Sequence, residues 1–464
     1  MKGTTQEILR IEDYVPSALD GQKLLDTIFD FFGRVPDPRP RQASIQYELD
    51  DVIKAAFAIF VLRFPSLLNF EEHLQKPVIR QNIERIFQVT NVPSDTQMRE
   101  ILDEVAPRQL RIIFKYLVGL ALQSKALADY KFYEGKYLVA VDGTGFFSSS
   151  EISCASCLEK DQRKGTEKLY QHQMFCGAIV APDQRTVIPL YPEQVGVDDG
   201  REKNDCERNA AKRFIRQFRE DFPKLDAIIL FDAIGGNIPQ IEQIRFAGLS
   251  FIISVKPGSQ KTLFKSAVGG AKRGEMKGHT VVDFLGTKVK KKRTRKYFWI
   301  NEVLLSNTDQ DFTVNFLDFT ETIEWECKGK HRVQKVHFGW ITDFHLTKNN
   351  VETIMKGGRA RWSIENDQFN TIKNRDFHFE HNYGHGYKNL SNFLATLMIL
   401  AFLFDQLQQL GCKLYKKALQ QCIRKSYFTE DIRLNFKKIH FNSWRQLIHY
   451  LASPESFILK PAPT

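Results

Sequence analysis

Cysteine is scarce in this chain. Seven cysteines, an odd number, are spread over 464 residues. That excludes a disulfide framework as the organising principle and favours a reduced, cytoplasmic compartment. Long apolar runs are missing as well. The longest, FLATLMILAFLF from Phe393 to Phe404, is shorter than the ~20 residues a bilayer span requires and suits a buried helix. The opening segment MKGTTQEILRIEDY carries acidic residues and no continuous apolar stretch, so it does not read as a signal peptide. Neither an internal repeat nor a low-complexity tract is found. What is present is an ordinary globular balance, 42% hydrophobic and 26% charged, with length enough for two or three domains. Lys and Arg number 66 against 55 Asp and Glu, a net charge of +11. Such a surplus favours a polyanionic partner such as nucleic acid, although an acidic membrane surface would attract the same charge.

Along the chain, residues 1–130 read as helical. LDDVIKAAFAIFVLRF repeats its apolar residues at helical spacing until Pro65. In VIRQNIERIFQVT-NVPS-DTQMREILDEV a short turn separates two helical patterns, and Ser94 is placed to cap the second. This resembles a helix-turn-helix, with Gln97 and Arg99 early on the helix that would enter a major groove; an ordinary helical hairpin is the alternative. From about residue 131 the pattern changes. KYLVAVDG predicts a strand ending in Asp142. HQMFCGAIVAP and TVIPLYP predict two more, joined by a turn at Asp183 and Gln184. A helix with an acidic start follows in NDCERNAAKRFIRQFREDF. AIILFDAIGG predicts a buried strand ending in Asp232, and LSFIISVKP another. This order describes a mixed α/β layer over 131–257. Residues 258–348 hold short β-like runs and read as a β-rich insertion. Helices return over 349–425, and 426–464 reads as a C-terminal tail with one helix from Ser443 and an irregular end beyond Ala452, where Pro454, Pro461 and Pro463 fall.

An Asp at the carboxyl end of a core strand lies where ligands of α/β sheets usually sit. Two such strands side by side would bring Asp142 and Asp232 within reach of a shared cation, and hard divalent ions prefer oxygen ligands. Taken singly, each Asp could equally cap its following turn. In GGRARWSIENDQFNTIKN, read as a helix from about Ala360, Arg361 and Glu365 are four apart and share a face.

Together VDGTGFF, LFDAIGG and RARWSIEN resemble the catalytic core of bacterial insertion-sequence transposases of the DDE type. KNDCERNAAKR, FIISVKP, WITDF and HFEHNYGHG are similar to accessory segments of the group with a β-rich insertion. The resemblance covers roughly residues 90 to 400. It implies a ribonuclease H-like mixed sheet with flanking helices, interrupted by that insertion before the Glu helix and preceded by a helical DNA-binding domain. It further implies a triad of Asp142, Asp232 and Glu365, two Mg²⁺ or Mn²⁺ ions, double-stranded DNA as partner, a synaptic homodimer, no membrane, and a place at the bacterial nucleoid. Arg361 matches the signature Arg. The signature Tyr three residues earlier is here Gly358. The signature Lys seven residues after the Glu is here Ile372, with Lys373 one later.

Cys154 and Cys157 form a C-x-x-C pair, with His172 and Cys176 downstream. His172 and Cys176 fall on one predicted strand, where four residues span about 13 Å, too far for two ligands of one ion. A zinc site of Cys154, Cys157 and His172 with a distant partner stays open. HFEHNYGHGYKN is Gly- and Asn-rich and reads as a loop. KVKKKRTRKYFW carries seven basic residues; Lys290, Lys291, Lys292, Arg293 and Arg295 are the expected phosphate contacts, with Lys256 and Lys373 near the core. Trp299, Trp325 and Trp340 are candidates for stacking on an unpaired base, with core packing the stronger reading for any one of them. A nuclease of the same fold, a non-catalytic element-derived DNA-binding protein and a membrane-surface protein are the competing functions.

Overall fold

The computed structural model describes all residues except 1–3, 9–16, 41–44, 162–167, 197–205, 287–289, 308, 310, 328, 376 and 462–464. Lys288 and the start of the KNDCERNAAKR string therefore lie outside the described residues.

After a short strand β1 (Thr4–Ile8), the first part is helical: α1 (Gly21–Phe32), α2 (Leu49–Val61), α3 (Leu67–Leu74), α4 (Pro77–Phe87), α5 (Asp95–Asp103) and α6 (Arg111–Gln123). Helix α2 is buried almost all round because its apolar residues are not confined to one stripe. The mixed sheet then begins with β2 (Tyr137–Ser149), β3 (Leu158–Asp161), β4 (Lys168–Val180), β5 (Ile188–Pro189) and β6 (Glu193–Val195). It continues through α7 (Glu207–Asp221), β7 (Ala227–Phe231), α8 (Ile238–Phe246) and β8 (Ser250–Val255). The insertion supplies a helix that sequence periodicity did not suggest, α9 (Lys261–Lys272), and four long strands, β9 (Lys277–Leu285), β10 (Lys291–Leu304), β11 (Thr313–Cys327) and β12 (Lys330–Thr342). Next come α10 (Val351–Ala360), α11 (Asn370–Asn374), α12 (Leu390–Gly411), α13 (Lys413–Gln420), α14 (Lys425–Phe436), α15 (Trp444–Ala452) and β13 (Phe457–Pro461).

Eleven strands form one sheet in the order β3-β4-β2-β7-β8-β12-β11-β10-β9, with β5 and β6 also on β4. β2, β7 and β8 run parallel, and the remaining pairs are antiparallel. The insertion is not a separate β body. β12 pairs with β8 through Gly339–Thr342 and extends the core sheet. The fold class is thus mixed α/β with flanking helices and a helical region before it, as expected.

The apolar run at 393–404 lies in α12, which is long and apolar enough to cross a membrane but is wholly buried. It packs against α2, α5 and β5 and so joins the helical region to the sheet. Arg63 and Asp405 make a buried ion pair of 2.6 Å across this contact. The C-terminal stretch is more ordered than expected. Trp444 of α15 is buried and donates to Gln408 of α12 at 2.7 Å. Beyond Ala452, β13 pairs with β1. Pro461 is tolerated there because it lies at the end of a two-stranded pair, where a missing N–H costs little.

Candidate active site

β2 and β7 place the first two carboxylates. Their parallel register pairs Ala140 with Leu230, so two residues further along each strand Asp142 and Asp232 stand side by side, about 4.8 Å being the usual strand spacing. Asp232 follows the last residue of β7 and caps the next turn by accepting from the Ile234 N–H at 3.0 Å. Asp142 corrects the sequence expectation. It does not end its strand, because β4 stays paired with β2 past it, matching Asp142 with Cys176 and continuing to Ser149. Only the parallel partner stops at this level, and that opens one side of Asp142 to the site.

The third carboxylate comes from a helix that starts earlier than predicted, at Val351, and runs on through Asn374. Glu365 lies in a π-helical segment, Ile364–Phe369, inside this run. Such bulges carry one residue more than the α-helical turn and are frequent at functional sites. That residue bears on the displaced Lys. In a regular helix, a Lys eight residues after Glu365 is turned about 100° from one at seven. One extra residue taken up by the π turn would bring Lys373 back toward the face of Glu365, although Lys373 does not line the carboxylate cavity. Its ammonium pairs with Glu380 at 2.9 Å.

Arg361 binds both carboxylates. Its Nη1 donates to Asp142 Oδ2 at 3.1 Å and its Nη2 to Glu365 Oε1 at 2.6 Å. The guanidinium is buried, 8% exposed. The Asp142 carboxyl is raised to about 7 overall: burial pushes it up most, Arg361 pulls it down, and Glu365 and Asp232 add to the rise. A fourth carboxylate was missed by sequence reasoning. Glu207, in the first turn of α7, sits against Gly143, where a Cβ would come within 2.8 Å of its carboxyl carbon. Gly143 is therefore needed for Glu207 to approach. Burial and Asp232 raise the Glu207 carboxyl, and its Oε1 is buried without a hydrogen-bond partner among the described residues. The string KNDCERNAAKR was the only sign of it.

The three carboxylates line one cavity of about 560 Å³ together with Lys256, Arg361, Trp362 and His337. Hollows of about 670 and 940 Å³ elsewhere are larger, but neither draws its acids from the ends of core strands. Trp340 also lines the site and explains the missing Tyr. A Cβ on Gly358 would lie 2.4 Å from the Trp340 indole nitrogen, so the ring fills that space. Trp340 and Trp299 are buried at 2% and 3% exposure, which makes them core residues, the stronger of the two sequence readings, and not stacking platforms. Trp325 is half-buried, with Lys291 4.9 Å from its ring centroid.

The other candidates are dispersed. Arg293 pairs with Asp283, and Arg295 with Asp283 and Glu352, so these two guanidiniums are tied to acids of the same face. Lys290 and Lys292 are exposed, and Lys292 stands 4.0 Å from Glu324. Gln97 is engaged at the start of α5. Its side-chain oxygen accepts from the Ser94 N–H at 3.3 Å in a capping box. Arg99 pairs with Asp95 at 3.0 Å and lies against the loop at Gly384. Helix α5 is packed on α12, which is why its polar residues serve local structure.

Cys154, Cys157 and His172 do come together, and the distant member is His385, from the segment read as a plain loop. Cys154 Sγ is 3.8 Å from Cys157 Sγ and 3.5 Å from His172 Nε2. Cys157 Sγ is 3.4 Å from His172 Nε2 and 3.3 Å from His385 Nε2, and the two imidazole nitrogens are 3.1 Å apart. Cys176 is on the same strand as His172 but outside the cluster.

Residues 134–404 match the model of a protein family described as Transposase DDE domain. The chain belongs to that family. The matched span runs from just before β2 into α12 and so contains every carboxylate of the cavity. A DDE domain implies transposase activity, DNA as partner and a divalent metal. No curated protein matches the chain.

Proposed function

We propose that this DDE protein is the transposase of a bacterial insertion sequence, with Asp142, Asp232 and Glu365 as its metal-binding triad. The supporting observation is their convergence from two parallel strands and one helix on a single cavity. The donor set suits Mg²⁺ or Mn²⁺: it offers only carboxylate oxygens, burial and the neighbouring acids raise the Asp142 carboxyl, and a buried Glu207 oxygen has no partner among the described residues. Asp142, Asp232 and Glu365 would together hold the metal. Bound metal would supply Lewis-acid activation of the attacking and leaving oxygens at phosphorus.

The chain's own residues do the positioning. Arg361 offers a guanidinium fork that suits a phosphate once the carboxylates take up metal. Lys256 at the cavity and Lys373 after the π turn add point charges for the DNA backbone. Lys290, Lys291 and Lys292 extend a basic edge away from the site. Element ends would be cut and their 3′-hydroxyls joined to target DNA at the nucleoid by a synaptic dimer.

Incubating the protein with an element end and Mg²⁺ tests this reading. Cleavage is expected from the native chain, and Asp142→Asn, Asp232→Asn and Glu365→Gln should each abolish it while DNA binding persists. Cleavage that survives all three substitutions would overturn the assignment. Pre-nicked ends separate the nearest alternative, since a nuclease of the same fold would yield no joined product.

A further inference from the structure

We infer that Cys154, Cys157, His172 and His385 form a structural zinc site, distinct from the carboxylate cavity. The distances carry this. A tetrahedral ion with Zn–S near 2.3 Å and Zn–N near 2.0–2.1 Å requires ligand edges of about 3.8 Å between sulfurs, 3.6 Å from sulfur to nitrogen and 3.3–3.4 Å between nitrogens. The cluster shows 3.8 Å between the sulfurs, 3.3–3.5 Å for three sulfur–nitrogen edges and 3.1 Å between the nitrogens. All four ligand atoms lie within 4.8 Å of one another. Four protein ligands leave no position for substrate, which marks a structural site.

The surroundings are built to match. The Cys154–Cys157 spacing is a common chelate, closed here by the Cys157 N–H donating to the Cys154 carbonyl at 3.1 Å. The Cys154 N–H lies 3.4 Å from Cys157 Sγ. His385 Nδ1 is 2.9 Å from the Gly386 carbonyl, so the proton sits on Nδ1 and Nε2 presents its lone pair to the cluster. Cys157, His172 and His385 are buried, and the Phe147 ring lies 4.5 Å from that of His385.

The location gives the site a task. The cysteines precede β3, and His172 lies on β4 opposite Phe147 of β2, the strand that carries Asp142. His385 lies in the connection from the Glu365 helix to α12. Zinc would clip that connection to β4, the strand paired with β2 past Asp142, and so tie the segment after the Glu365 helix to the neighbour of the Asp142 strand.

Metal analysis of the full-length protein decides the matter. After purification with zinc present and dialysis, about one zinc per chain is expected to remain, as for closed structural sites. Cys154→Ser and His385→Gln should each remove it, while Asp232→Asn should keep it. Co²⁺ loaded in place of zinc should give thiolate charge-transfer and strong tetrahedral d–d bands in the native chain, a readout that survives if the ligand variants fail to fold. Zinc well below one per chain without those cobalt bands would overturn the proposal. So would zinc retained in both ligand variants, or a C-x-x-C pair recovered as a disulfide that excludes metal.

Discussion

Deleting Asn366 tests whether the π turn really holds a spare residue. Asn366 is exposed and lies within Ile364–Phe369. In a regular helix, removing one residue turns everything downstream by about 100°. That would swing Phe369 and Ile372, 7% and 0% exposed, out of the core. Losing such side chains from a core costs roughly 3–5 kcal/mol for Phe and 2–5 kcal/mol for Ile. The sum consumes most of the 5–15 kcal/mol that typically holds a domain together. If the π turn is an α-helix with one residue too many, the deletion converts it to a plain α turn and both side chains keep their places. The expected change is then within about 1 kcal/mol, the scale of surface changes. Deletion of Lys356, exposed in the regular part of α10, is the control and should unfold the protein. Urea unfolding followed by circular dichroism reads both, and Mg²⁺-dependent cleavage reports whether Lys373 still shares the Glu365 face. Unfolding of the Asn366 deletion to the same extent as the control would refute the argument.

Asp103 accepts from the backbone N–H groups of Tyr387, Lys388, Asn389 and Leu390, at 2.8–3.0 Å for its closest contact with each. Burial raises its carboxyl, but these four donors outweigh it and hold the group below 3.8. Its stabilisation is therefore full above the ordinary value and fades as pH falls through the lower folded one. Asp103→Ala should cost roughly 2–4 kcal/mol at neutral pH by stranding those donors, and urea midpoints measured from pH 6 to pH 3 should fall less steeply in the variant. For Asp142 the sign is opposite: the folded carboxyl keeps its proton up to about 7. Mn²⁺ must displace that proton, so calorimetric affinity should drop about tenfold per pH unit below that value; a flat profile would show that Asp142 is not a ligand. Gly358→Ala should lose roughly 1–3 kcal/mol by overpacking against Trp340, and Gly358→Tyr should not fold; normal stability of either in urea would mean that Trp340 can move aside.

Much of the site was legible because strand ends announce themselves locally. An apolar run closing on Asp232, with Gly235 and Gly236 soon after, marked a true strand end, whereas the run closing on Asp142 and Gly143 marked a point inside a longer strand; the short β-like runs of 258–348 were plain, its helix α9 was not. The details that escaped depend on partners far along the chain or on hydrogen-bond register. Nothing in IENDQF marks a π turn, because the same residues would make an ordinary helix. His385 lies 213 residues from His172, beyond any spacing rule, and its Gly-rich neighbourhood gave only the correct but incomplete reading of a loop. Ser94 was legible as a cap. The fate of Gln97 and Arg99 was not, because it was decided by the packing of α5 on α12. The pairing of β13 with β1 is the same case at the greatest separation.

Arg361 bridges Asp142 and Glu365, and thermodynamic linkage follows. If Asp142 and Glu365 hold the metal as proposed, the ion competes with the guanidinium they bind here, so part of its binding free energy goes into releasing Arg361. A DNA phosphate that accepts the freed guanidinium returns some of that cost. Metal and DNA then bind cooperatively, and reciprocity requires each to tighten the other by the same factor. Mn²⁺ titrations with and without DNA should show the tightening in the native chain and lose it in Arg361→Gln. Through its bonds to Asp142 and Glu365, Arg361 would thereby couple metal loading to the arrival of a DNA strand.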